Sequence, residues 1–353
     1  MDASSEKKCC TNPDLIAKET RPNAARCGLP LYNGVFASRF LLAINSNNRV
    51  NEMLRKVRYW AGIPLVLITT AFIIHKIYIN WTMIKVVISQ IKVGAALMGM
   101  GILSIAITLL GWNWTSVLHC RGINTCRLNC IRTYFLANLI RYIPGGVWHF
   151  AGRTLWLSSQ GYRLQSAIES LIFEQGLTLV AAIAVGSASL EITLRKPFTL
   201  GTTIFSVFLL VLLAAFVATV PKTSRKNLNL QFIERWLILV AGYILFWILY
   251  GLATCCFAIA IFDSERLTTY DCIRLIGQTA LSWAVGYMIV VVPNGWGVRE
   301  LAFAHLLSRD FAGNIVFILP VLSRLAQILA EILCGGIFSL LWQLSLRKEP
   351  GVS

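Results

Sequence analysis

The chain contains apolar runs long enough to cross a lipid bilayer, and these constrain its fold more than any motif. A hydrocarbon core of about 30 Å takes about 20 apolar residues of helix. Residues 60–79, 93–112, 198–220, 236–262 and 315–346 reach that length with few or no charges. Three further stretches, 131–150, 167–190 and 273–293, are comparably apolar but carry polar residues at particular places. The fold expected is all-α, a polytopic integral membrane helical bundle of about eight transmembrane segments. Composition agrees, since 56% of the 353 residues are hydrophobic and 14% charged, where soluble domains carry about a quarter charged.

Residues 1–48 are polar and rich in Asn, Ser, Lys and Arg. They are expected to form a flexible N-terminal segment, too short for an independent catalytic core. Residues 49–346 are expected to form the transmembrane domain, and 347–353 a short C-terminal tail. The first ~30 residues lack the apolar core and cleavage site of a signal peptide, so the first span is expected to remain as an anchor. Just before it, Val50, Met53, Leu54 and Val57 recur at helical spacing opposite Arg49, Glu52, Arg55, Lys56 and Arg58. That pattern suits either a short helix lying on an anionic leaflet or a charged linker.

The net charge is +16, from 32 Lys and Arg against 16 Asp and Glu. The basic residues lie mostly in the N-terminal segment and in short loops. This favours a cytoplasmic N-terminus in the cell (cytoplasmic) membrane and gives no reason to expect nucleic acid. Among the ten cysteines, the group His119, Cys120, Cys126 and Cys130 contains no CxxC pair. Reduced thiols are expected there, with no metal.

Two stretches interrupt the apolar pattern. "RYIPGGVWHFAGR" spans residues 141–153, and "VVPNGWGVRE" spans 291–300. Each lies downstream of a Cys-Ile-Arg that begins an apolar segment, at Cys130 and at Cys272, and breaks at a proline followed by glycine and then arginine. The two stretches therefore read as Pro/Gly-broken or re-entrant helices and as a candidate internal repeat. Each is followed by a span with carboxylates. Glu169 and Glu174 follow the first, and Glu331 follows the second. Arg324, Gln327 and Glu331 lie at i, i+3 and i+7 and so share one helix face. An ionisable group at membrane depth costs at least ~2.5 kcal/mol, so it marks either a pathway or an Arg–Glu pair that locks two helices.

The chemistry around the breaks suits an anion. Pro144 removes a backbone donor, and Gly145 and Gly146 allow close approach of another group. A helix restarted inside the protein offers free N–H groups and a partial positive charge. Arg141, Arg153 and Arg299 supply planar donors for phosphate oxygens, and His149 supplies a further donor. Trp148 and Trp296 suit the boundary between headgroup and acyl chain. Pro293, Gly295 and Gly297 repeat the pattern at the second break. Glu174, Glu300, Arg324 and Glu331 are expected to balance charge or to bind a coupling ion. No nucleophile–base pair or metal-binding acidic motif is evident, and no cofactor is expected.

Together, "NLIRYIPGGVWHFAGRTLWLSSQGY", "AIESLIFEQGLTL", "VVPNGWGVRELAFAHLL" and "LSRLAQILAEIL" resemble the transmembrane, flippase-like domain of the lysylphosphatidylglycerol synthase family over residues 50–346. The resemblance implies an eight-helix domain that moves a lipid or lipid-linked headgroup between leaflets. By position its pattern falls on Pro144, Gly145, Gly152, Arg153 and Glu174, and on Pro293, Gly295, Gly297, Arg299 and Glu300. The aminoacyl-transferring members carry a soluble C-terminal domain not seen here after Leu346, so lysyl transfer is not expected. The expected partner is a membrane lipid or lipid-linked sugar, with a separate glycosyltransferase or lipid-modifying enzyme as a candidate associate. The alternatives are a membrane-embedded glycosyl or headgroup transferase and an assembly subunit of a lipid-modifying enzyme. The oligomeric state is not legible.

Overall fold

The computed structural model describes residues 78, 85, 89–141, 148–194, 230–261, 267–289, 295, 297–308, 311 and 315–347. All regular structure among them is helical. The helices are α1 (Val93–Cys120), α2 (Arg127–Ile140), α3 (Trp148–Ser159), α4 (Leu164–Leu194), α5 (Leu230–Ile261), α6 (Thr269–Met288), α7 (Val298–Leu307) and α8 (Ile315–Arg347). The N-terminal segment, its candidate surface helix, the runs 60–79 and 198–220, Pro144, Gly145, Gly146, Pro293, Trp296 and the tail beyond Arg347 lie outside the described residues.

Four helices are long and apolar enough to cross a membrane, over Val93–Cys120, Leu164–Leu190, Glu234–Ile261 and Val316–Ser345. They correspond to four of the eight expected spans. The stretches 131–150 and 273–293, expected as broken or re-entrant segments, are not among the four. The first is divided between α2, whose 14 residues reach about 21 Å at 1.5 Å per residue, and α3, with 12. The second falls on α6, which is 20 residues long but buries Gln278, Thr279 and Ser282.

Both short pairs are antiparallel hairpins. In α2–α3, Gly152 faces Ala137, with 3.5 Å between a Cβ built on the glycine and the alanine Cβ. At the mouth, Tyr162 Oη donates to the Asn124 carbonyl at 2.6 Å, bringing the chain after α3 back to the chain before α2. In α6–α7, Gly286 lies against Arg299 near the closed end, while Gln278 Nε2 donates to the Leu306 carbonyl at 3.2 Å eight residues nearer the mouth. Thr268 fixes the start of α6, because its hydroxyl accepts from the Asp271 amide while Asp271 accepts from the Thr268 amide.

The hairpins open in opposite directions. Helices α1 and α5 run antiparallel: Lys92 N donates to the Ala260 carbonyl at 3.0 Å, Gly99 packs on Phe257, and Asn113 packs on Gly242. Hairpin α2–α3 leaves from the C-terminal end of α1, and hairpin α6–α7 from the C-terminal end of α5, which is the other end of the bundle. The remaining contacts obey the same two-fold exchange. Gly186 of α4 faces Leu281 of α6 as Gly335 of α8 faces Leu139 of α2. Leu281 and Leu139 are 142 residues apart, the same interval that separates Cys272 from Cys130.

The interior is a largely apolar core that encloses the buried polar and charged groups, and the large apolar side chains of the long helices also face outward. On α8, Ala326, Gln327, Ala330, Glu331 and Cys334 are buried, whereas Leu325, Leu329, Ile332, Leu333, Ile337 and Leu340 are exposed. Hydroxyls on the apolar helices bond back to their own backbone, as Ser104 does to the Met100 carbonyl at 2.8 Å and Thr108 to the Ser104 carbonyl at 2.8 Å. Small residues permit the closest crossings, as expected where helices associate by van der Waals packing. A Cβ on Gly251 would stand 2.5 Å from the Ile276 Cα, whereas one on Gly336 meets nothing within 4 Å. Gly251→Ala should therefore destabilise the folded protein by about 1–3 kcal/mol, and Gly336→Ala should be neutral or stabilising. Thermal unfolding of the two variants in detergent checks the difference.

Candidate functional site

Two buried charged clusters stand where the hairpins meet the long helices. In the first, Arg153 on α3 donates through Nη1 to Glu174 Oε2 on α4 at 2.6 Å. Both side chains are sealed from solvent, at 1% and 0% exposure. The guanidinium carbon lies 5.0 Å from the centre of the Tyr134 ring, 5.2 Å from Trp114 and 5.9 Å from Phe150. Aromatic faces attract a desolvated cation and here replace part of its lost hydration. Gly152, by letting α3 sit on α2, places Arg153 against Tyr134.

The second cluster joins the two hairpins through α8. Arg141, at the end of α2, donates to Glu331 Oε1, which also accepts from Gln327 Nε2 at 3.0 Å. Gln327 Oε1 in turn accepts from Arg299 Nη1 of α7 and from Tyr250 Oη of α5, both at 3.0 Å. Arg299 Nη2 closes the ring by donating to Tyr250 Oη at 2.7 Å. Glu331 stands fifteen residues after Val316 and fourteen before Ser345, at the centre of the apolar length of α8. The closed ends of two oppositely directed hairpins are thus tied to one turn of a long helix, halfway along it.

The second break is shaped by backbone as well as by charge. Gly295 and Gly297 have φ of 60° and 81°, values that L side chains rarely adopt, and a Cβ on Gly295 would stand 2.7 Å from the Gly286 carbonyl oxygen. Their described role is a tight turn against α6. Glu300 folds back on that turn and accepts from the Gly297 amide at 2.7 Å, with Arg324 Nε 3.7 Å from its other oxygen. An amide at the N-terminus of α7 is therefore already answered by a carboxylate of the same chain.

Each of the three arginines expected to bind an anion is engaged: Arg141 with Glu331, Arg153 with Glu174, and Arg299 with Gln327 and Tyr250. The network unites Arg141, Arg299 and Glu331, with Glu300 and Arg324 beside it at the base of α7. Arg153 and Glu174 form the separate pair. Trp148 and His149 begin α3, with the His149 ring 3.8 Å from that of Phe150. Tyr250, Tyr134, Trp114 and Tyr243 escaped the sequence reading because an aromatic residue in an apolar run carries no periodic signal for its partner. Cys126 is disulfide-bonded, so the reduced-thiol expectation fails there, while Cys120 and Cys130 are free.

Comparison of the chain with protein-family models, curated proteins and solved structures returned no match.

Removing one member of a buried ion pair strands the other charge, at a cost of about 3–5 kcal/mol, whereas replacing both with apolar residues restores much of the loss. Arg153→Met and Glu174→Met should each lower stability strongly, and the double variant should be more stable than either single one. Equilibrium unfolding of all four proteins in detergent measures this coupling.

Proposed function

We propose that the protein is an integral membrane translocator that carries an anionic lipid, or a lipid-linked sugar, between leaflets with its headgroup among the buried polar groups. The observation that supports this most is the meeting of two opposed hairpins on Gln327 and Glu331, at the centre of α8. Translocators built from inverted halves place their binding site where paired discontinuous helices meet near the midplane. The guanidinium groups of Arg141 and Arg299 are held there by side chains that a phosphate oxygen can replace.

On this reading α2–α3 and α6–α7 are re-entrant hairpins, and the four long apolar helices α1, α4, α5 and α8 are crossings. Since α4 returns across the bundle and α5 runs antiparallel to α1, Leu194 and Leu230 lie at opposite ends of the bundle. In the sequence between them, the apolar run 198–220 has the length of a membrane span. The motif resemblance to the lysylphosphatidylglycerol synthase transmembrane domain points to the same class of activity. The basic N-terminal segment favours the cell membrane with a cytoplasmic N-terminus.

Reconstitution into liposomes carrying a fluorescent phosphatidylglycerol in both leaflets gives the test. The protein should raise the rate at which inner-leaflet label becomes open to an impermeant reductant, and Arg141→Ala or Glu331→Ala should lower that rate at least about tenfold, which is ~1.4 kcal/mol in the barrier. Equal rates in protein-free vesicles, or undiminished rates in both folded variants, would overturn the proposal.

A further inference from the structure

The hydrogen bonds around Arg153 and Glu174 are incomplete. Glu174 uses Oε2 on Arg153 and leaves Oε1 without a partner. Arg153 Nε, Trp114 Nε1, Tyr243 Oη and Asn113 Nδ2 are likewise buried with none. All five side chains are more than nine-tenths buried, and they adjoin one another. Trp114 and Tyr134 flank the guanidinium, Asn113 packs on Gly242 beside Tyr243, and Tyr243 lies within electrostatic range of both Glu174 and Arg153. An unsatisfied buried polar atom costs about 1–3 kcal/mol, so a group of them calls for an explanation beyond packing.

The carboxylates differ in how firmly they are held. Glu331 Oε1 accepts from both Arg141 and Gln327. Glu300 accepts from a backbone amide that it caps. Glu174 has one side-chain hydrogen bond of good geometry, from Arg153, with the Gln175 side-chain amide close to it, and its Oε1 makes none. The halves of the bundle are also unequal here, because Arg299 is met by the neutral Gln327 and Tyr250, whereas Arg153 is met by a carboxylate. Protonation can therefore change the net charge of the Arg153 pair in a way that has no counterpart at Arg299.

We infer that Glu174 is a proton-binding site and that loading it frees Arg153 for the anionic group of the substrate, so that one proton and one headgroup bind together. This rests on the translocation reading. The step is an acid–base one: a proton from the aqueous phase forms an O–H bond at Oε1, Glu174 becomes a neutral acid, and no other covalent bond changes. Arg153 then carries an unbalanced charge in a sealed, aromatic-walled site, and a phosphodiester oxygen restores the balance. Arg153 of α3 bonds Glu174, and Cys130 and Tyr134 of α2, Tyr243 of α5 and Tyr287 of α6 lie within its electrostatic range. His149 of α3 lies within electrostatic range of both Arg153 and Arg141.

Linkage makes the coupling measurable, because a proton that favours the anion must itself be favoured by the anion. The probe is a short-chain phosphatidylglycerol, a phosphodiester whose own charge is constant through neutral pH. It is titrated into the full chain in weakly buffered detergent containing a pH indicator. The wild type should take up close to one proton per lipid bound, and its affinity should rise up to about tenfold per unit fall in pH. Glu174→Gln should bind without proton uptake and without that pH dependence, and Glu174→Asp, which keeps the carboxyl, should restore uptake. Lipid binding by the wild type without proton uptake, or undiminished uptake by Glu174→Gln, overturns the inference while leaving translocation standing. Absence of both binding and translocation overturns the two together.

Discussion

A charge buried among apolar helices must be met by another group, and in this bundle that requirement determines where the hairpins end. Desolvating a guanidinium or a carboxylate costs several kcal/mol even after relaxation. Arg141, Arg299, Gln327 and Glu331 therefore form one continuous set of hydrogen bonds. The set connects α2, α7 and α8, with Tyr250 bringing in α5. Apolar packing holds the long helices side by side, but it is indifferent to how far each hairpin penetrates. The polar contacts fix that depth, because a slip of one turn along α8 would separate Arg141 from Glu331 and leave both uncompensated.

The two halves share a plan and differ in chemistry. Each has a long helix, a hairpin and another long helix in the same order, and the crossings Gly186–Leu281 and Gly335–Leu139 occupy matching places. The arginines on the short helices, Arg153 and Arg299, both reach the long helix that follows. One meets a carboxylate and the other a neutral amide. A symmetric scaffold with unlike charges at its two arginines can support opposed conformations while confining charge change to one side.

Much of this plan is legible in the sequence, for physical reasons that differ from element to element. The apolar runs locate the long helices, since a span needs about 20 such residues whatever its partners. The i, i+3, i+7 spacing of Arg324, Gln327 and Glu331 identifies a polar face, and the two Cys-Ile-Arg stretches, at Cys130 and Cys272, stand 142 residues apart, the same interval as Leu139 and Leu281. Hydropathy could not tell a hairpin from a crossing, because α2 and α6 are apolar for the same reason in either case. Nor could it pair the charges. Whether Arg153 meets Glu174 or Glu331 depends on the fold of α3 back upon α2, and Tyr250 gives no sign in the sequence of the arginine it supports. The close approach of Gly295 to Gly286 is likewise invisible in the sequence, because it depends on how α7 folds back on α6.

Opposed entry of the two hairpins is the claim on which the rest stands, and side-specific labelling tests it most directly. Gln160 follows α3 at the mouth of the first hairpin, and Ser308 follows α7 at the mouth of the second; both are exposed. In a background with the native cysteines replaced, Gln160→Cys and Ser308→Cys would be treated with a membrane-impermeant maleimide, in intact and in inverted vesicles. Reaction of the two from opposite sides of the membrane is the expected result. Reaction of both from the same side would contradict it.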